Sequence, residues 1–153
     1  MRTELKAQGC TNLRLRQLTR RVSQLYDVEM AKAGLKTTQF SLLSHILKLG
    51  PLRPGELALK MKFTPSTQTR NLKPLIDAGW ASLSAGSDAR SRTIAITPAG
   101  EAKWHEALQY WKVAQDSLNQ RLGAARVLDL HRLINESMEL LASVKTGTEA
   151  DDE

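Results

Sequence analysis

Apolar residues at positions 15, 18, 22 and 25 recur at three- and four-residue spacing. That spacing sets one face of a helix running from about Thr11 to Lys32, which Thr11 or Asn12 can cap and Gly34 can end. Phe40, Leu43, Ile46 and Leu47 repeat the pattern in a second helix, capped by Thr37 and stopped by Gly50-Pro51. Pro54 suits the first position of a short third helix ending at Met61, since its missing N–H would be unpaired there in any case. Thr64-Pro65 repeats the start signal for a fourth helix, and Gly79 ends it. Pro74 inside that helix removes a backbone hydrogen bond, so a bend or a loosened turn is expected. Two short strands follow, Ala81 to Ala85 and Thr93 to Ile96, joined by a loop around Gly86-Ser87-Asp88. Thr97-Pro98 opens a fifth helix.

Beyond this point the pattern changes. Trp104, Leu108, Trp111, Leu118 and Leu122 fall on near-heptad spacing, and after a break at Gly123 so do Val127, Leu130, Ile134, Met138 and Leu141. Two long amphipathic helices of this kind need a partner to cover their apolar faces, and the first helix carries a similar stripe. Residues 1–34 and 101–145 are therefore expected to form a helical dimerisation module around a central domain, 35–100. The acidic, polar tail, 146–153, is expected to be disordered. The predicted fold class is mainly α with a small two- to three-stranded β element.

Composition narrows the function. The hydrophobic content of 41% and the charged content of 25% are those of a soluble globular chain, and 153 residues suffice for one domain with an extension. No apolar run reaches membrane-spanning length and the first thirty residues lack an apolar signal core, so a cytoplasmic protein without membrane contact is expected. A single cysteine excludes an internal disulfide, and His45, His105 and His131 lie too far apart to suggest a metal site. No cofactor motif, nucleophile elbow, phosphate-cradling loop or paired-carboxylate motif is present, so no enzyme is expected. Charge is asymmetric: residues 1–92 hold sixteen basic and six acidic side chains, a net +10, whereas residues 93–153 hold six and ten, a net −4. The N-terminal part thus suits a polyanion.

The fourth helix has the make-up of a base-reading helix. Ser66, Thr67, Gln68, Arg70 and Asn71 crowd its N-terminal half, the part that a helix in the major groove presents to base edges. Gln and Asn pair with adenine, Arg pairs with guanine, and hydroxyls bond either bases or phosphates. Lys73 and, at the start of the third helix, Arg53 extend the basic surface. The inter-strand loop supplies Arg90 and Arg92, which alternate on an extended segment and so point the same way, toward a narrow minor groove. Asp88 either pairs with Arg90 or closes a local turn.

The stretch from Leu35 to Gly100 resembles the winged-helix domain of MarR-family transcriptional regulators. The family's wing signature is met by Asp88, Arg90, Ile96, Thr97 and Gly100. Gly34-Leu35 and Thr38-Gln39-Phe40 match the entry to its second helix. Arg53 to Ala58 and Leu75 to Trp80 match its third helix and the close of its recognition helix. The resemblance implies a winged helix-turn-helix with terminal dimerisation helices. It also implies a homodimer on a pseudo-palindromic operator in double-stranded DNA, often repressing and released by a small molecule or oxidant. A winged-helix protein-interaction module without specific DNA binding is the alternative. Cys10, at a helix start near Lys6, Arg14 and Arg16, is either a redox sensor or an idle thiol. Trp104 and Trp111 are either packing residues or, with Arg16, the lining of a pocket for a small aromatic or anionic effector.

Overall fold

The computed structural model describes residues 9–85, 88 and 91–142. The chain divides into two compact units, residues 1–115 and 116–153. In the first, α1 spans Thr11–Met30 and runs into a 3-10 turn, Ala31–Ala33. Gly34 ends it in the left-handed region at φ 72°, where glycine lacks the Cβ penalty. The cap of α1 falls at Cys10 rather than at Thr11 or Asn12, and no side chain completes it. Helix α2 spans Thr37–Leu49, and its cap also falls one residue earlier than expected, at Lys36. Thr37 is its first helical residue, and its N–H and hydroxyl both donate to Asp27 Oδ1 of α1, at 2.9 and 2.7 Å. A carboxylate from another helix thus satisfies an orphan donor that a local cap would otherwise take.

Helix α3 spans Pro54–Met61, with Pro54 in the first turn and Glu56 accepting from the Arg53 N–H at 3.3 Å. Helix α4 spans Pro65–Asp77 and continues through Pro74 without interruption. The proline ring is exposed there, so the lost hydrogen bond is the price at that turn and the helix does not end. Strands β1 (Ala81–Leu83) and β2 (Ile94–Ile96) pair antiparallel with Leu83 opposite Ile94. They are shorter than expected, although Ser84 and Thr93 still exchange bonds beyond them: the Ser84 N–H donates to the Thr93 carbonyl at 2.9 Å. On its other side Ile94 forms an isolated antiparallel bridge with Leu52. The core of this unit lies beneath α2 and α4, where Leu43, Ile46, Leu57, Leu72, Leu75 and Ile94 are buried together.

Helix α5 spans Pro98–Leu122. Its first turn is held against the end of α4, because the Thr97 N–H donates to the Trp80 carbonyl at 3.0 Å and the Thr97 hydroxyl to the Gly79 carbonyl at 2.5 Å. Farther along, Tyr26 of α1 donates its phenol hydrogen to Gln115 Oε1, and burial pushes the Tyr26 pKa up. In the second unit Gly123, at φ 82°, separates α5 from α6, Ala124–Ala142. Helix α6 leaves Leu128, Leu133, Ile134, Met138 and Leu141 exposed. No helix among the described residues is long and apolar enough to cross a membrane.

Candidate nucleic-acid interface

The face that α4 turns outward is polar because the face it turns inward is spent on the core. Leu72 and Leu75 are buried at 4% and 0% exposure, and they fix the helix's rotation. Thr64 caps the start: its Oγ1 accepts from the Thr67 N–H at 3.3 Å and shares hydroxyl bonds with Thr67 and Ser66 at 2.9 and 3.2 Å. Ser66, Arg70 and Lys73 are exposed, and Thr67 and Asn71 are half-buried. Thr69 turns its hydroxyl back onto the Pro65 carbonyl at 3.0 Å. Lys73 donates to Asp77 Oδ2 at 2.8 Å, a hydrogen bond that holds its ammonium pKa above the ordinary lysine value. A phosphate reaching Lys73 would compete with that carboxylate.

Gln68 corrects the sequence expectation. It is 1% exposed, and among the described residues neither its amide nitrogen nor its oxygen has a partner. Its place among the base-contacting side chains fails for a geometric reason: positions 68, 72 and 75 lie on one helical face, the face that packs inward.

The second stretch of the candidate interface is the loop between β1 and β2. Asp88 closes a tight turn: the Ser91 N–H donates to Asp88 Oδ1 at 2.9 Å, and Ser91 Oγ donates to the Asp88 carbonyl at 3.0 Å. This is the local-turn alternative for Asp88. Arg90 lies outside the described residues, so its expected pairing does too. Arg92 is exposed at the foot of the loop, beside Thr93, whose N–H donates to Ser84 Oγ at 2.9 Å. Arg53 is exposed at the start of α3.

Sequence reasoning missed one neighbourhood. Lys36 and Gln39, at the start of α2, line a crevice with Arg70, Asn71 and Pro74 of α4. Gln39 accepts from the Lys36 N–H at 2.9 Å, which caps α2 and leaves the Lys36 side chain exposed. The proximity of α2 to α4 is tertiary, and no local pattern signals it.

Of the residues named for an effector pocket, the two tryptophans pack against α2. Trp104 stacks on Phe40 with ring centroids 6.0 Å apart and planes 3° apart, and its indole N–H donates to Ser44 Oγ at 2.7 Å. Trp111 stacks on the same ring at 6.1 Å. Both indoles therefore help to seat α5 on α2. Arg16 is exposed on α1, ten residues before Tyr26 and so roughly 15 Å along the helix from the tie to α5. Cys10 is exposed.

Comparison with known proteins agrees with this geometry. The sequence profile of the MarR family matches residues 33–91. The Bacillus subtilis protein YwoH, described as an uncharacterized HTH-type transcriptional regulator, is 26% identical over 92 residues, 60% of this chain and 67% of its own. The Mycobacterium tuberculosis transcriptional regulator MosR, solved in complex with DNA, superposes with a TM-score of 0.72 at 28% identity, covering 86% of this chain and 98% of MosR. A MarR-family protein of M. tuberculosis, solved with p-aminosalicylic acid, shares the fold at a TM-score of 0.61 and 22% identity, over 84% of this chain and 98% of that one. Residues 33–91 thus match the MarR family, and the chain shares the fold of MarR-family transcriptional regulators.

Proposed function

We propose that this protein is a homodimeric, sequence-specific DNA-binding repressor, with α4 as its recognition helix and the loop between β1 and β2 as its wing. The observation that carries the reading is the division of α4. Ser66, Arg70 and Lys73 face solvent, whereas Leu72 and Leu75 anchor the opposite face. A helix so anchored offers hydrogen-bonding side chains to base edges without exposing an apolar surface. Arg53, Thr67, Asn71, Asp88, Arg90 and Arg92 complete the proposed interface. The MosR–DNA complex supports a DNA partner for this architecture.

Residues 35–100 act as the DNA-binding domain in this reading, and residues 1–34 and 101–145 as the dimerisation module. Exposed apolar side chains support the module. Leu15 is 56% exposed and Leu18 39% on α1, and Leu133, Ile134 and Met138 are exposed on α6. Burial of such residues stabilises association by about 25 cal/mol per Å² of apolar surface before the costs of ordering. Release of DNA by a small aromatic or anionic effector is supported by the p-aminosalicylic acid complex of a protein with this fold. Cys10, exposed at the start of α1, is the position at which an oxidant would act instead.

The test is selection of duplexes from a random-sequence library by the purified protein, followed by footprinting of the enriched sequence. Two inverted half-sites about one helical turn apart, roughly 34–36 Å between centres, are expected. Enrichment of no sequence at low salt would favour a protein-interaction module.

A further inference from the structure

We infer that Lys103 is a positioning residue that ties the end of α1 to the base of the recognition helix. The inference rests on the proposed reading of the protein as a homodimer on two half-sites. Three contacts from three parts of the chain converge on this side chain, which is 24% exposed. Its Nζ donates to the Ala33 carbonyl at 3.0 Å and to Glu106 Oε2 at 3.0 Å. It also stands 5.6 Å from the centroid of the Trp80 ring, within range of a cation–π attraction.

The Ala33 carbonyl belongs to the last turn after α1, where unpaired carbonyls gather the negative end of the helix dipole, and an ammonium is their complement. Trp80 is the first residue past the turn that closes α4, and its backbone is held on both sides. Its N–H donates to the Leu75 carbonyl at 2.9 Å, and its carbonyl accepts from the Thr97 N–H at 3.0 Å. Gly100 seals the corner, because a side chain there would run into the Trp80 carbonyl. Trp80, the end of α4 and the first turn of α5 therefore form one rigid corner. Lys103 fastens the end of α1 to it, and Glu106 orients the ammonium.

This link has a defined consequence. In the proposed dimer α1 belongs to the module that joins the subunits, so the angle between α1 and α4 sets the separation of the two recognition helices. Lys103 acts on that angle and not on any base. Its loss should leave a single half-site contact intact and weaken only the simultaneous engagement of two.

The probe is a duplex selected from a random library by the wild-type dimer, alongside the same duplex with one half scrambled and versions with the spacing changed by one to three base pairs. Lys103→Met keeps the aliphatic stem and removes the ammonium. It should bind the half-scrambled duplex within about twofold of wild type, bind the intact duplex about tenfold more weakly, and lose the preference for the selected spacing. Lys103→Arg should recover most of both losses. Should Lys103→Met fail to fold, Glu106→Gln leaves the ammonium in place but unanchored, and the same pattern is expected at about threefold. Wild-type affinity and spacing preference in Lys103→Met, or equal losses on intact and half-scrambled duplexes, would overturn the inference. A wild-type protein that binds both duplexes equally would overturn the two-half-site reading itself, and this inference with it.

Discussion

Gln68 occupies a position where the core asks for an apolar side chain. An amide buried without partners forfeits the hydrogen bonds it made to water, a cost of about 1–3 kcal/mol. Gln68→Leu, of similar volume, should therefore raise stability by about 1–2 kcal/mol, read as a higher urea midpoint at unchanged slope. Because the side chain faces inward, DNA affinity should stay within about twofold of wild type. A tenfold loss on the selected duplex would return Gln68 to the interface. Gly100 poses the opposite problem. A Cβ there meets backbone, which cannot give as a flexible side chain does. Gly100→Ala should destabilise by about 1–3 kcal/mol in the same assay, the usual cost of overpacking a tight site.

At the scale of elements, α4 and the wing should fail differently. Arg70 lies on the outer face of α4 and the proposed role is base reading. Arg70→Ala should cost about 1–3 kcal/mol on the selected duplex and much less on random DNA. Arg92, at the foot of the wing, is assigned a backbone or minor-groove contact. Arg92→Ala should weaken all sequences alike and flatten the plot of log affinity against log salt by about one unit per contact removed. Titrations of each variant on both DNAs at several salt concentrations separate these outcomes, and a uniform loss for Arg70→Ala would refute direct readout. The order of the helices was legible because α1 to α5 begin at Thr or Pro signals and because Gly34, Gly50, Gly79 and Gly123 follow α1, α2, α4 and α5. Their caps were not, as α2 shows, where Thr37, the cap expected from sequence, is the first helical residue and donates instead to Asp27 of α1.

For the molecule as a whole, the exposed apolar stripes of α1 and α6 predict self-association. Sedimentation at micromolar concentration should give a dimer near twice the chain mass of 17.0 kDa. A monomer there would remove the basis for two-half-site binding. The charge asymmetry predicts steep salt dependence, since each phosphate neutralised releases counterions.

Local chemistry was enough to announce a winged helix-turn-helix. Helical periodicity, turn residues and the Asp88-to-Gly100 run are all short-range patterns that a chain carries wherever it folds. The polar outer face of α4 was legible in composition, and even the burial of Gln68 was latent in its four- and seven-residue spacing from Leu72 and Leu75. Other features depend on which distant residues meet. Phe40 receives Trp104 and Trp111 from more than sixty residues away, and these contacts help to seat α5. Lys103 finds the Ala33 carbonyl seventy residues upstream, and Lys36 comes to line a crevice with Arg70. Such contacts arise from the packing of whole helices, and packing selects among many chemically acceptable partners by shape, which no single stretch of sequence records.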